Sequence, residues 1–179
     1  MLFRSGLIAS IQDSGNADQI IEGTLIPGFV DIHSHGGGGF YFSDENIENV
    51  RKVVATHQAH GTTSIMASLV SEPIEKIKSQ IARLRPLVQR GELLGIHLEG
   101  PFLSEHKCGA HDPKLLRDPD LTTLSDLVEF AEGTIAMVTM APERKGGIEA
   151  VEYLVEHGDR KSTRLNSSHI PLSRMPSSA

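Results

Sequence analysis

Short apolar runs alternate along the chain with segments of helical periodicity. Four runs rich in Ile, Val, Leu and Met have the length of buried strands, and they span 25–32, 63–70, 93–99 and 134–141. Each run is followed by a segment with apolar residues three or four positions apart, which predicts an amphipathic helix. The four predicted helices cover 43–60, 73–91, 121–132 and 148–157. This alternation predicts an α/β protein of parallel βα units, either a doubly wound sheet or part of a (β/α)₈ barrel.

The ends of the predicted helices carry residue types with known preferences. Ser43 is the expected N-cap of the first helix, and Pro73 suits the first turn of the second. His57 and His60 fall near the C-terminal end of the first helix. We expect both to interact favourably with the helix dipole.

Polar side chains gather where two of the predicted strands end. His33 and His35 are two residues apart, so both imidazoles project from one face of the first strand. His97 and Glu99 share a face of the third strand in the same way. Two imidazoles and a carboxylate at the same end of parallel strands indicate a divalent metal site, although satisfied histidines and a loop-capping carboxylate are the alternatives.

Composition argues against several classes of protein, among them nucleic-acid-binding and membrane-spanning proteins. The formal net charge of −6 argues against a nucleic-acid partner, and no run of 18 apolar residues is present that would favour a membrane span. With Cys108 as the single cysteine, no intramolecular disulfide can form, and a reducing, cytoplasmic location is expected. No general base is identifiable beside Cys108, so a nucleophilic role is not indicated.

Four short stretches carry a resemblance to a known family. The sequence LIPGFVDIHSHG at 25–36 resembles the first barrel strand of the amidohydrolase superfamily. The sequence HLEGPFL at 97–103, followed by GAH at 109–111, resembles the narrower family of N-acetylglucosamine-6-phosphate deacetylases. The sequence VTMAPE at 138–143 is similar to the same family, so the resemblance covers about 25–143.

The resemblance implies a role for each matched residue. Glu99 falls on the family's metal-binding glutamate, and Ala110 and His111 fall on the pair that contacts the amino sugar. His33 and His35 become candidate ligands of a second ion, so the implied cofactor is one or two divalent ions, zinc or iron. The implied partner is a small amino-sugar phosphate, and the complete enzyme is expected to be a homo-oligomer.

The implied reaction is hydrolysis of N-acetylglucosamine 6-phosphate to glucosamine 6-phosphate and acetate. The family takes two further histidine ligands, and the aspartate that protonates the leaving amine, from later barrel strands. This chain therefore has no expected catalytic residue of its own, and by itself it is expected to be inactive. A dihydroorotase-like or aminoacylase-like amidohydrolase is the alternative within the superfamily, and a non-catalytic barrel relative is the alternative outside enzymes.

Both ends of the chain depart from the strand and helix pattern. Residues 159–169 and 173–179, in a tail rich in Ser and Arg, can be encoded by a widely used sequencing-library adapter, and residues 1–5 by the opposite adapter. This match predicts that 1–5 and 159–179 are adapter-derived artefacts and that 159–179 is disordered. A native disordered tail is the alternative at the C-terminal end. Residues 6–24 are then expected to be a remnant of a small β-sandwich domain, and 25–158 the first half of a hydrolase barrel with about four βα units.

Overall fold

The computed structural model describes residues 2–4, 7–10 and 22–157, the first two ranges by their backbone alone. Its strands are β1 (Leu2–Arg4), β2 (Leu7–Ser10), β3 (Phe29–Ser34), β4 (Gly36–Gly37), β5 (Phe40–Tyr41), β6 (Thr62–Leu69), β7 (Gly95–Glu99) and β8 (Ile135–Thr139). Its helices are α1 (Ile47–Gln58), α2 (Ile74–Gln89), α3 (Leu121–Ala131) and α4 (Gly147–His157). Two short 3₁₀ helices, Glu105–Lys107 and Pro113–Leu115, lie between β7 and α3. All four predicted strands and all four predicted helices are confirmed.

The main sheet is parallel and has the strand order β3-β6-β7-β8. Within this sheet each strand pairs with the sheet strand that follows it in sequence, and a helix connects each pair. A doubly wound sheet reverses its strand order at a switch point, whereas a barrel adds consecutive strands in one direction. The sequential order therefore selects the barrel from the two architectures that the sequence left open.

The two faces of this sheet have different neighbours. Side chains such as Ile65, Ile96 and Val138 join the large buried cluster that includes residues of all four helices. The alternate positions Met66 and Met137 form a separate cluster on the other face. Each strand thus presents one face to the helices and one to the interior of the partial barrel. The polar residues at the C-terminal strand ends lie at the mouth of that interior.

Helix α1 begins three residues later than Ser43 predicted. Asn46 is the N-cap, and its side chain accepts a hydrogen bond from the backbone N–H of Glu48 at 3.0 Å. The carboxylate of Asp44 accepts from the backbone N–H of Asn46 at 2.9 Å, which fixes the cap itself. The Ser43 prediction was wrong because Ser, Asp and Asn compete for the cap over a few residues, and local packing decides among them.

The N-terminal segment forms a two-stranded antiparallel sheet in which β1 pairs with β2. Strand β2 lies in the range predicted as a β-domain remnant, while β1 lies in the range predicted as adapter-derived. Residues 11–21 and 158–179, with their predicted assignments, lie outside the described residues. Within the described part of the chain, no helix is long and apolar enough to cross a membrane.

Candidate metal centre

The C-terminal end of β3 presents two histidines to the interior of the partial barrel. His33 Nε2 and His35 Nε2 lie 3.2 Å apart, as expected for residues two positions apart on a strand. The Nδ1 atom of His35 lies 3.1 Å from the backbone carbonyl of Ser68 on β6. A carbonyl can only accept a hydrogen bond, so Nδ1 of His35 carries a proton. When the ring is neutral, Nε2 is therefore the nitrogen that presents a lone pair to a metal ion.

Glu99 ends β7 and faces the same two imidazoles. Its Oε2 atom lies 3.0 Å from His35 Nε2 and 3.4 Å from His33 Nε2. The hydrogen bond with His35 lowers the pKa of Glu99 to about 2, although partial burial opposes this shift. The same hydrogen bond raises the pKa of His35. The site therefore favours a full negative charge on Glu99 with a cation beside it.

The spacing of these three atoms fits a transition metal. Zinc takes imidazole nitrogens and carboxylate oxygens at about 2.0–2.2 Å, so two ligands at a tetrahedral angle lie about 3.3 Å apart. The three observed separations are 3.2, 3.4 and 3.0 Å. Among the described residues, His33, His35 and Glu99 form the group whose donor atoms all lie within 4.8 Å of one another. They match one triangular face of a coordination shell.

His97 shares a strand face with Glu99 but takes a different role. It is fully buried, with Nδ1 2.9 Å from the hydroxyl of Ser68 and Nε2 2.8 Å from the hydroxyl of Thr139. Burial, with a smaller contribution from His33, lowers the pKa of His97 to about 4, so the ring is neutral. Both ring nitrogens are hydrogen-bonded to hydroxyls, so neither is free to bind a metal. The ring packs edge-on against His33, with the two ring centroids 4.9 Å apart.

His111 approaches Glu99 from the loop that follows β7. Its Nε2 atom lies 3.6 Å from Glu99 Oε2, and its Nδ1 atom is held by Ser71, 2.8 Å from the hydroxyl and 3.3 Å from the backbone nitrogen. Because a backbone N–H can only donate, Nδ1 of His111 is an acceptor, and the proton of the neutral ring resides on Nε2. His111 thus presents an N–H group toward the centre, not a lone pair.

The loop around His111 borders a cavity of about 600 Å³ that also contacts His33, His35 and Glu99. Ala110 and Cys108 line the same cavity, and Cys108 is a free thiol. Arg144 anchors the loop from the segment after β8, donating to the carbonyl of Leu103 at 2.7 Å and to Asp118 at 2.6 Å. The cavity has the size of a small-molecule site and places the loop residues beside the candidate metal ligands.

The structure thus brings together the predicted residues His33, His35, Glu99, Ala110 and His111 around one cavity. The pattern of residues along the chain did not identify Ser71 or Thr139. Ser71 follows β6, so its position at a strand end was the available signal, but a lone serine there is common in any parallel sheet.

Comparison with known proteins identifies the family to which the chain is similar. The family described as "Amidohydrolase family" matches this chain over residues 24–160. The N-acetylglucosamine-6-phosphate deacetylase of Danio rerio is 39% identical over 144 residues, which cover 75% of this chain and 35% of the relative. The N-acetylgalactosamine-6-phosphate deacetylase of Escherichia coli O157:H7 is 30% identical over 140 residues, covering 76% of this chain and 37% of the relative.

Solved structures agree with the sequence relatives. A variant of N-acetyl-D-glucosamine-6-phosphate deacetylase from Mycobacterium smegmatis, in complex with N-acetyl-D-glucosamine-6-phosphate, is 43% identical with a TM-score of 0.76. The match covers 81% of this chain and 38% of that structure. The chain therefore spans less than two fifths of the length of the relatives described above.

Proposed function

The chain belongs to the amidohydrolase family, and on that premise we propose that it forms the first half of a deacetylase barrel. The observation that carries the proposal is the meeting of Glu99 Oε2 with both imidazoles of β3. The proposed substrate is an N-acetylated amino-sugar 6-phosphate, and the proposed products are acetate and the free amino sugar phosphate. The proposed location of the enzyme is the cytoplasm.

The proposed metal ligands are His33, His35 and Glu99. A divalent cation bound there, zinc or iron, would polarise the amide carbonyl and lower the pKa of the attacking water. Glu99 contributes the negative charge that offsets the cation, and the carbonyl of Ser68 keeps His35 in the tautomer that presents Nε2. Two histidines and one carboxylate leave room for further ligands, in agreement with one or two ions.

His111 and Ala110 are the proposed contacts to the sugar. The Nε2–H group of His111, oriented by Ser71, can donate a hydrogen bond to an oxygen of a substrate in the adjoining cavity. Ala110 leaves space beside it, because its side chain ends at one methyl group. Both lie within the cavity wall that includes the proposed ligands, so the acetamide group and the metal can meet.

The other groups that the reaction requires must come from further strands. Edge strand β3 exposes Phe29 and Val30, each 60% accessible, as expected of a strand that a neighbour would cover. The chain covers 35–38% of the relatives described above, so we propose that later strands supply further ligands and the acid that protonates the amine. The 179-residue chain alone should then release no acetate.

The experiment measures acetate release from N-acetylglucosamine 6-phosphate by a full-length protein that contains this segment. Chelation should abolish the activity and zinc or ferrous iron should restore it. Glu99→Gln should remove most of the activity, while Glu129→Gln, on the exposed side of α3, should not. Near-normal turnover with retained metal in the Glu99→Gln protein would contradict the assignment.

The epimer of the sugar is decided by the same assay. Relatives named for N-acetylgalactosamine 6-phosphate are about as similar to this chain as several of those named for the gluco epimer. We propose the gluco epimer because the solved neighbour with 43% identity is named for it and was determined with it. A higher kcat/KM for the galacto epimer would replace the substrate but leave the metal centre unchanged.

A further inference from the structure

We propose that His57 is a positioning residue that holds the histidine pair of β3 in the geometry of metal ligands. The inference rests on the metal centre of the proposed function but not on the identity of the substrate. His57 lies in the last turn of α1, where the sequence predicts a partner for the helix dipole. Its ring instead contacts the residues that flank His33 and His35.

The ring of His57 bonds to the segment that carries the ligands. Its Nε2 atom lies 3.1 Å from the backbone carbonyl of Gly36 and 3.3 Å from the hydroxyl of Ser34. The Gly36 carbonyl can only accept, so Nε2 carries a proton and donates it to that carbonyl. Ser34 and Gly36 are the two neighbours of His35, and the ring therefore contacts the side chain on one side of this ligand and the backbone on the other.

Asp31 extends the same support to the other ligand. One carboxylate oxygen, Oδ1, accepts a hydrogen bond from the backbone N–H of His33 at 3.0 Å, and the other, Oδ2, lies 3.8 Å from Nδ1 of His57. The side chain of Asp31 thus lies between the backbone of His33 and the ring of His57. One chain of contacts reaches both proposed ligands from helix α1.

This support is needed because the sheet itself does not hold the ligand segment regularly. The pairing of β3 with β6 shifts register between Asp31 and Ser34, the interval that contains His33. The side chains of His33 and His35 are also 49% and 36% exposed, so packing constrains them little. An irregular and exposed strand end can hold two imidazoles 3.2 Å apart only with help from a neighbouring element.

The glycines after His35 fit the same arrangement. A Cβ atom added at Gly37 would lie 2.9 Å from His57 Nε2, closer than a carbon atom can approach a ring nitrogen without displacement. A Cβ atom at Gly38 would meet the hydroxyl of Thr56, the residue before His57, at 2.4 Å. The glycines therefore allow the end of α1 to lie directly on the turn that follows the ligand pair.

His60 provides a matched control on the same stretch of chain. It lies three residues after His57, and its Nδ1 atom contacts the backbone carbonyl of Thr56 at 2.8 Å. That carbonyl belongs to the last turn of α1, as the dipole prediction implies. Replacing His60 removes a histidine from the same helix end but leaves the contacts to Ser34, Gly36 and Asp31 intact.

The experiment measures the zinc affinity of the metal-free, full-length protein that contains this segment, by calorimetry at one fixed pH. His57→Ala should weaken zinc binding about 10- to 100-fold, the usual effect of removing a partner that orients metal ligands. His57→Gln should restore most of the affinity, since its amide nitrogen falls near the place of Nε2 and can donate to Gly36. His57→Asn has a shorter side chain, so its zinc binding should remain weak, and His60→Ala should bind zinc like the unmodified protein.

Thermal unfolding of each metal-free variant separates positioning from folding. The inference expects the His57→Asn and His57→Gln proteins to unfold at similar temperatures but to differ in zinc affinity. Equal affinity in these two proteins, or an equal loss in His60→Ala, would overturn the inference. Absence of zinc binding by the unmodified full-length protein would overturn the metal centre and this inference together. Zinc binding that depends on His57, in a full-length protein that hydrolyses no amino-sugar phosphate, would support the inference and reject the proposed substrate.

Discussion

Gly100 is a position where one added methyl group should disturb the whole site. It follows Glu99 with φ of +85°, a backbone conformation that L-residues rarely adopt. A Cβ atom there would lie 2.2 Å from the hydroxyl oxygen of Ser71 and 3.3 Å from Cγ of Leu103. Gly100→Ala must therefore displace the hydroxyl that holds His111 Nδ1 at 2.8 Å.

The cost of Gly100→Ala has three contributions. The left-handed backbone costs about 1–2 kcal/mol for alanine. Overpacking against Ser71 and Leu103 costs about 1–3 kcal/mol, and the lost hydrogen bond to His111 about 0.5–1.5 kcal/mol. The total of about 2.5–6.5 kcal/mol is a large share of the roughly 5–15 kcal/mol by which a domain is stable.

Gly91→Ala is the matched control for the backbone contribution. Gly91 also has a positive φ, +75°, but an added Cβ atom there would have nothing within 4 Å. Both variants gain the same small stabilisation from a less flexible unfolded chain, so this effect cancels in the comparison. Gly100→Ala should be less stable than Gly91→Ala by about 1.5–4.5 kcal/mol, the steric and hydrogen-bond contributions alone.

The assay is urea unfolding followed by far-UV circular dichroism, because the chain has no Trp to report by fluorescence. Ser71→Gly in the Gly100→Ala background removes the oxygen that the methyl group meets and should recover part of the lost stability. Equal free energies of unfolding for Gly100→Ala and Gly91→Ala would refute the proposed contact between Gly100 and Ser71.

Three further predictions test separate parts of the structure. Glu99→Gln should lower the zinc affinity of the full-length protein at least about 100-fold, because a ligand has a greater effect than the residues that orient it. Calorimetry should detect this loss, and unchanged affinity would remove Glu99 from the centre. In a full-length protein, His111→Ala should raise KM for the sugar phosphate without changing metal content, and loss of metal would reassign His111 as a ligand. Asp120→Ala should cost about 1 kcal/mol at pH 7, because the Asp120 side chain caps α3 by accepting from Thr123 N–H at 2.8 Å. Burial raises the pKa of Asp120, but the hydrogen bonds from Thr123 and the charge of Arg117 outweigh it, so the pKa is lower in the folded protein. The stability that the Asp120 cap contributes is therefore present above the unfolded pKa and is lost as pH falls through the folded pKa. The urea midpoints of the unmodified and Asp120→Ala proteins should converge in acid.

The predicted elements agree with the structure because each depends on its own sequence. The apolar run at 93–99 and the helical periodicity of 73–91 show which side chains will be buried. These patterns do not depend on which other element covers the buried side chains. The N-cap of α1 was missed because three capping residue types stand within four positions, and the choice of Asn46 over Ser43 depends on where the loop packs. The adapter assignments of 1–5 and 159–179 stay a prediction.

The sequence by itself determined the order of elements, the two-residue spacing of His33 and His35, and the position of Glu99 at a strand end. Only the tertiary structure decided which atoms meet. Glu99 Oε2 lies within 3.6 Å of histidines from β3 and from the loop after β7, and His97 is satisfied by hydroxyls of two neighbouring strands. His57 contacts the ligand segment, not only its own helix end. Spacing along a strand is fixed by local backbone geometry, whereas contacts between strands and helices depend on register and packing over tens of residues, which no short pattern records.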